Sequence, residues 1–472
     1  MLPVVCAWVM SCSGEATAAS SLTAVRAGGP GVRLRFGAPV TLPLFCPQTV
    51  CKFGGSVGAD SFFGFGFAAS SNILGSVNRT AVWSSDSGAS FVVLPSTVAN
   101  EGLAGSVVGP GLTVDAGQGA VRTIGGASMN HTLHPKVAVG HRVSLWNVTS
   151  ASHAAGSGWW RSAAEPKWAI KRTVVNENVR WLLPFSDICT FSDYSAAPVV
   201  LGGVWLKTVR ASHIASPATV HPCVRLLVRS VDWLLVVGQV VIKTNCTKPP
   251  SGWGDAGGPG NIHLFESSDL GVWRWRSLVA AGNATGGAEE GANENSVAVL
   301  DDGSLLVVFR RDGGDGWPSH SHKSFMESRS TDGGFHWSPP KALPADVLSA
   351  RPQLLKIPNG PLFLTGGRPL LSLWVSSSGS GVEWSQPINL AGEHNKGQTD
   401  PSLRFCAAFA NGSATWLEST AYNSLVRVAD EPATGNARFL VCYDRMGTEA
   451  PVAPKECQPE RVNTFCMNVT VL

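Results

Sequence analysis

The sequence predicts an all-β chain of repeated four-stranded blades. Three observations predict it: a hairpin phrase recurs at a blade-sized interval, a turn motif of the form Ser-x-Asp-x-Gly-x-x-Trp/Phe falls between the hairpins, and the 472 residues include 52 Gly and 30 Pro with only 15% charged. Short strands joined by tight turns need such a composition, because Gly supplies positive φ and Pro presets φ at turn positions.

The hairpin phrase is a short alternating apolar strand, a turn containing Gly, and a second apolar strand. Its clearest copies are Val297 to Arg310 (VAVLDDGSLLVVFR), Leu354 to Arg368 (LLKIPNGPLFLTGGR) and Cys406 to Glu418 (CAAFANGSATWLE), with looser ones at Val199 to Val209 and Val224 to Val237. The turn glycines Gly303, Gly360 and Gly412 lie 57 (303 to 360) and 52 (360 to 412) residues apart, which is the length of one propeller blade.

The turn motif is complete at Ser330-Thr-Asp332-Gly-Gly334-Phe-His-Trp337 and at Ser84-Ser-Asp86-Ser-Gly88-Ala-Ser-Phe91. A third copy, Ser267-Ser-Asp269-Leu-Gly271, is followed by Trp273 and Trp275; a fourth, Ser377-Ser-Gly379-Ser-Gly381-Val-Glu-Trp384, lacks the Asp. Asp accepts backbone N–H bonds across the turn, Gly takes positive φ, and the aromatic anchors the turn between strands. Residues of this kind staple a fold and do no chemistry.

A net charge of +3 carries no basic field for nucleic acid. No run of eighteen apolar residues occurs, so no membrane-spanning segment is expected. Seven Asn-x-Ser/Thr sequons (Asn78, Asn130, Asn147, Asn245, Asn283, Asn411, Asn468) and eleven Cys without C-x-x-C spacing predict a glycosylated, disulfide-containing chain of the secretory pathway, secreted or lumenal, with a lysosome-like compartment among the lumenal ones. The apolar stretch Leu2 to Met10, followed by small residues, reads as a secretory leader or as a first strand. The expected division is a leader and linker over 1–25, the blades over 31–446 with an irregular insertion at about 100–171, and a tail over 447–472 tied back through Cys457 and Cys466. No metal site and no cofactor are expected. Gly54-Gly-Ser56-Val-Gly58 is followed by a Phe-rich strand where a hydrolase elbow needs a helix, and the glycines of 312–316 lack a calcium-loop pattern.

Hairpins alternating with Asp boxes resemble the sialidase (neuraminidase) superfamily, whose fold is a six-bladed β-propeller. The resemblance covers about 31 to 445 and is sharpest at Glu294-Asn-Ser-Val-Ala-Val-Leu-Asp-Asp-Gly303 through Arg310. It implies Glu294 as a catalytic carboxylate and Arg310 as one of three substrate-binding arginines. Arg368, in Gly367-Arg368-Pro369, is implied as another, with Arg351 in reserve. Ser419-Thr-Ala-Tyr422-Asn-Ser-Leu425 is similar to the stretch that carries the nucleophilic tyrosine, and Asp444 stands where an acidic residue holds the first arginine.

The implied reaction is release of terminal sialic acid, or a related acidic sugar, from glycoproteins, glycolipids or oligosaccharides. Such a sugar bears a carboxylate on its anomeric carbon and repels a carboxylate nucleophile, so a tyrosine serves instead. Its phenol, with an ordinary pKa near ~10, needs a base, the role implied for Glu294. Two positions depart from the pattern. Leu44-Phe-Cys-Pro-Gln48 holds no arginine where the first is expected, and Arg35 is out of register. Phe65 to Trp83 holds no Asp or Glu for the acid, leaving Asp60 and Asp86 as substitutes. The alternative reading is therefore a propeller that binds glycans or proteins without turnover.

Overall fold

The computed structural model describes residues 21–25, 31–42, 50–54, 62–69, 79–84, 86–93, 112–117, 120–125, 138–148, 170–182, 207–211, 233–240, 261–267, 272–281, 292–311, 323–347, 352–367, 370–412, 423–428, 430–445, 457 and 463–472. They form mostly antiparallel sheets. Three sheets have four strands each: Val50–Gly54, Phe62–Ala69, Arg79–Ser84 and Val92–Val93; Ala292–Val299, Leu305–Arg311, Met326–Ser330 and Lys341–Ala342; and Gln353–Lys356, Leu362–Gly366, Ser372–Ser376 and Ile388–Asn389. An eight-stranded sheet consists of two four-stranded meanders, 112–182 and 207–280, joined edge to edge where Arg180 to Leu182 runs parallel to Val272 to Arg274.

A five-stranded sheet combines strands from the early and late parts of the sequence. Its order is Ser21–Val25, Val32–Thr41, Asn463–Val471, Arg438–Arg445, Asn423–Val428. The stretch after 447 thus supplies a central strand, and Ser21–Val25 pairs along Val32 to Phe36. Two disulfides, Cys406–Cys457 and Cys442–Cys466, tie the C-terminal stretch to the body; the second joins residues directly opposite each other on neighbouring strands.

The apolar core lies in layers between consecutive sheets. Leu264, Val297, Val307 and Phe309 fill one layer, Leu306, Val308, Leu354, Leu364 and Trp374 the next, and Phe363, Leu373, Phe439, Val441 and Met467 a third. Alternate residues of strand Leu305–Arg311 serve different layers, as the two-residue period of a strand buried on both faces requires. First strands of consecutive meanders lie side by side: Leu112–Gly117 next to Lys207–Ala211, then Ala292–Val299, Gln353–Lys356 and Asn423–Val428, with Val50–Gly54 next to the last.

The Asp boxes are the turns between the third and fourth strands. In the three boxes among the described residues, a Ser Oγ accepts the N–H of the box glycine: Ser84 from Gly88 at 2.8 Å, Ser330 from Gly334 at 2.8 Å, and Ser376 from Gly381 at 2.9 Å. Asp332 accepts from the backbone of Phe335 and His336 and from the Ser330 hydroxyl. Partial burial works against this carboxylate, but the bonds from His336, Ser330 and Phe335 outweigh it and hold its pKa well below the usual range.

Each of the three described boxes docks on the preceding sheet. A Cβ on Gly334 would lie 2.3 Å from Leu264, one on Gly381 2.7 Å from Leu306, and one on Gly88 2.5 Å from Leu440. Arginines reach across the same seams. Arg329 donates to the carbonyls of Ser380 and Gly381 at 2.7 and 2.8 Å, while Arg276 donates to Gly333 and carries the Phe335 ring on its guanidinium.

Three sequence readings are corrected. The Cys406 to Glu418 phrase is not a hairpin: Ala407–Ala410 is a helical turn, favoured by its alanines, anchored by buried Phe409, and capped by the Asn389 amide, which donates to the carbonyls of Phe409 and Ala410. The fourth box begins at Ser376, not Ser377, so Ser378 stands in the Asp place and one extra residue precedes Gly381. The Asn468 sequon lies on a central strand opposite Leu440, half-buried with its Oδ1 covered, and is a sheet residue where a surface acceptor was expected. Asn411, by contrast, is exposed at a helix end.

Candidate active site

Because neighbouring strands are antiparallel, the start of each first strand and the end of each second strand share one end of the sheet. The first hairpin turn and the Asp box share the other. Glu294, Arg310 and Asp444 all lie at the end away from the boxes.

Glu294 sits on a β-bulge. Asn293 pairs with Arg310 and Asn295 with Phe309, which leaves Glu294 as the extra residue and re-aims its side chain. Its Oε2 lies 3.5 Å from Arg310 Nη1, and both side chains are buried, at 7% and 5% exposure. The pair brings a carboxyl group and a guanidinium together in one covered corner.

Asp444 is fully buried and pairs with Thr464 on the central strand of the five-stranded sheet. Its place corresponds to that of Arg310. Leu306 and Leu440, the residues that meet the next sheet's box glycine, each precede the strand-end residue by four, and they pair with Ala298 and Val426. In this register Asn295 matches Asn423 and Ser296 matches Ser424, while Glu294 and Tyr422 are the residues preceding them in sequence. The repeat was legible as Glu294-Asn-Ser-Val against Tyr422-Asn-Ser-Leu. Ser296 Oγ accepts the N–H of Leu354 at 2.9 Å, and Thr365 Oγ1 donates to Asn423 Oδ1, so both tripeptides lock consecutive sheets together.

Tyr422, Arg368, Arg351 and Asp60 lie outside the described residues. Asp86 belongs to the box end, bonded to Ser84 and Ser90, and is no substitute acid for this corner. Arg35 pairs with Thr470 and makes an ion pair with Glu431, whereas Asp444 pairs six residues away along the same strand, with Thr464. Leu42 N–H donates to Thr464 O, so the chain arrives next to Asp444 just before the arginine-free Leu44 to Gln48. Among the described residues no group of His, Cys, Asp and Glu is placed to hold a metal ion.

Residues 251–430 match the family of BNR repeat-like domains. The matched segment contains the boxes at Ser330 and Ser376 together with Glu294, Arg310, Arg368 and Tyr422, and the match bears out the resemblance read from the boxes. No curated protein matches the chain. Similar solved structures include a protein of unknown function from Dyadobacter fermentans (14% identity, TM-score 0.49, covering 92% of this chain and 98% of that one). A Trypanosoma rangeli sialidase has 12% identity and a TM-score of 0.45 over 96% of this chain, which spans 59% of that protein. A Penicillium chrysogenum alpha-L-arabinanase complexed with arabinobiose has 12% identity and a TM-score of 0.44, covering 93% and 98%.

Proposed function

We propose that the chain is a six-bladed propeller of the secretory pathway and a retaining exo-glycosidase that releases terminal sialic acid or a related acidic sugar. The observation that carries the reading is the buried Glu294–Arg310 pair, raised on a bulge at the end of the sheets away from the Asp boxes. Support for the propeller comes from the side-by-side first strands and from boxes that each dock on the preceding sheet.

In this mechanism Arg310 and Arg368 bind the sugar carboxylate, each charge-assisted bond contributing ~1.5–3 kcal/mol. Glu294 takes the phenolic proton of Tyr422 as the oxygen attacks the anomeric carbon, the bond to the leaving oxygen breaks, and that oxygen takes its proton from a solvent water. Water then cleaves the glycosyl-tyrosine with retention. Asp444 takes the place of the acidic residue that holds the first arginine of the carboxylate-binding set. The two disulfides fit an oxidising compartment.

One observation favours a second reading, a glycan-binding propeller without turnover: the chain passes Asp444 at Leu42 and supplies no arginine over Leu44 to Gln48. Release of 4-methylumbelliferone from its sialoside separates the two. The glycosidase reading predicts turnover by the wild type and loss of at least 100-fold, about 2.7 kcal/mol, in Tyr422→Phe and Glu294→Gln. Folded wild type that releases nothing from pH 4 to 8 refutes it and leaves the binding propeller.

A further inference from the structure

The segment from Leu390 to Gly412 leaves the fourth strand of its sheet at the site end and leads towards Tyr422. It comprises helix Leu390–Gly397, the turn Pro401–Leu403 and helix Ala407–Ala410, and side chains hold it in place of strand pairing. Arg445 donates to the carbonyls of Ser402 and Arg404 at 2.7 and 2.8 Å. Asn395 and the backbone of Phe405 exchange two bonds of 2.8 Å, and Cys406 is bound to Cys457.

At the centre is His394, with no exposed surface. Its Nδ1 lies 2.8 Å from the Tyr443 hydroxyl and its Nε2 3.0 Å from the Leu403 carbonyl. A neutral ring satisfies both: Nε2–H donates to Leu403, and Nδ1 accepts from Tyr443. The rings of Phe405, Tyr443 and Phe465 meet it edge-on.

We propose that His394 is a proton-sensitive latch: while neutral it fixes the 390–412 segment to the strand carrying Tyr443 and Asp444, at the site end of the sheets. That this end holds the site rests on the glycosidase reading; the latch itself does not. Protonation turns Nδ1 into a donor, so the Tyr443 O–H must swing away, and it places a cation beside two others.

The charged groups around the ring are Glu393 and Lys396 on its own helix, Arg445 on the strand of Tyr443, and Asp400 and Arg404 on the following turn. Strand Val32–Thr41 adds Arg33 and Arg35, the latter held by Glu431, and Asn463–Val471 contains no charged residue. Burial, opposed by the Leu403 carbonyl and reinforced by Arg445 and Arg404, lowers the pKa of His394 to about 4. An opened segment would expose a ring of ordinary pKa, near ~6.5, so acid favours opening by up to roughly 30-fold at pH 5 relative to neutral pH.

Hydrogen exchange by mass spectrometry on the full chain, corrected for intrinsic rates, tests this at pH 7 and pH 5. Protection in 390–412 is expected to fall by ten- to thirty-fold at pH 5 while that of 353–376 holds. In His394→Gln, whose amide stays neutral, protection in 390–412 is expected not to change with pH. PH-independent protection in the wild type, or the same fall in His394→Gln, overturns the latch; if the variant does not fold, the wild-type comparison of the two segments decides alone. Sialoside turnover on the same samples separates the two ideas: a latch without turnover sinks the glycosidase reading only, and turnover with unchanged protection sinks the latch only.

Discussion

Replacing Gly334 with Ala perturbs the seam between two sheets at a single methyl group. The residue has φ +90, and its new Cβ would lie 2.3 Å from a Leu264 methyl and 3.2 Å from one of Leu305. Left-handed backbone costs an L-residue ~1–2 kcal/mol, and overpacking a filled core adds ~1–3 kcal/mol, giving a loss of roughly 2–5 kcal/mol. Gly303 separates the terms, since it has φ +80 and nothing within 4 Å of the added methyl, so Gly303→Ala should lose only ~1–2 kcal/mol. Urea midpoints at unchanged slope measure both. Leu264→Ala is itself costly, by ~2–5 kcal/mol, because the side chain is fully buried. In the double variant, however, the space vacated by Leu264 accepts the new methyl, and the two losses should fall short of their sum by ~1–3 kcal/mol. Equal losses in Gly334→Ala and Gly303→Ala, or strict additivity in the double variant, would refute box-to-leucine docking.

Other outcomes follow from the same geometry. Arg329→Ala should destabilise by ~1–3 kcal/mol, and Arg329→Lys should recover little, because one ammonium cannot span the Ser380 and Gly381 carbonyls; thermal melts of the pair check this. His263 and His394 both have pKa values lowered to about 4 by burial, so the unfolded chain takes up protons first. Their contribution is complete above pH ~6.5 and is lost as pH falls towards 4, by up to about 3 kcal/mol each, which denaturant titrations at pH 7, 5.5 and 4.5 would read. Removing the Cys442–Cys466 bridge by paired Ala substitutions, which frees a loop with sequence separation 24, should cost about 3 kcal/mol by the same titration.

What the sequence made legible was local. The hairpins around Gly303 and Gly360 and the boxes at Ser84 and Ser330 are each specified within a dozen residues by turn chemistry and strand alternation. The 406–418 phrase shows the limit. Its alternation fits a strand, but the Asn389 cap and the bond to Cys457 come from distant residues and decide for a helical turn. The Arg276 and Arg329 clamps were equally illegible, since their acceptors are backbone carbonyls 57 and 51 residues on. Glu294 and Arg310 were singled out through the resemblance, yet the bulge that aims Glu294 is a register fact that only the neighbouring strand reveals.

The most direct measurement is mass spectrometry of the protein after incubation with a sialosyl fluoride that also carries fluorine next to the anomeric carbon, which slows breakdown of a glycosyl-enzyme. The account predicts a single adduct of one sugar, mapped by peptide sequencing to Tyr422 and absent from Tyr422→Phe. An adduct on Glu294 or another carboxylate, or none while the sialoside is turned over, would contradict it.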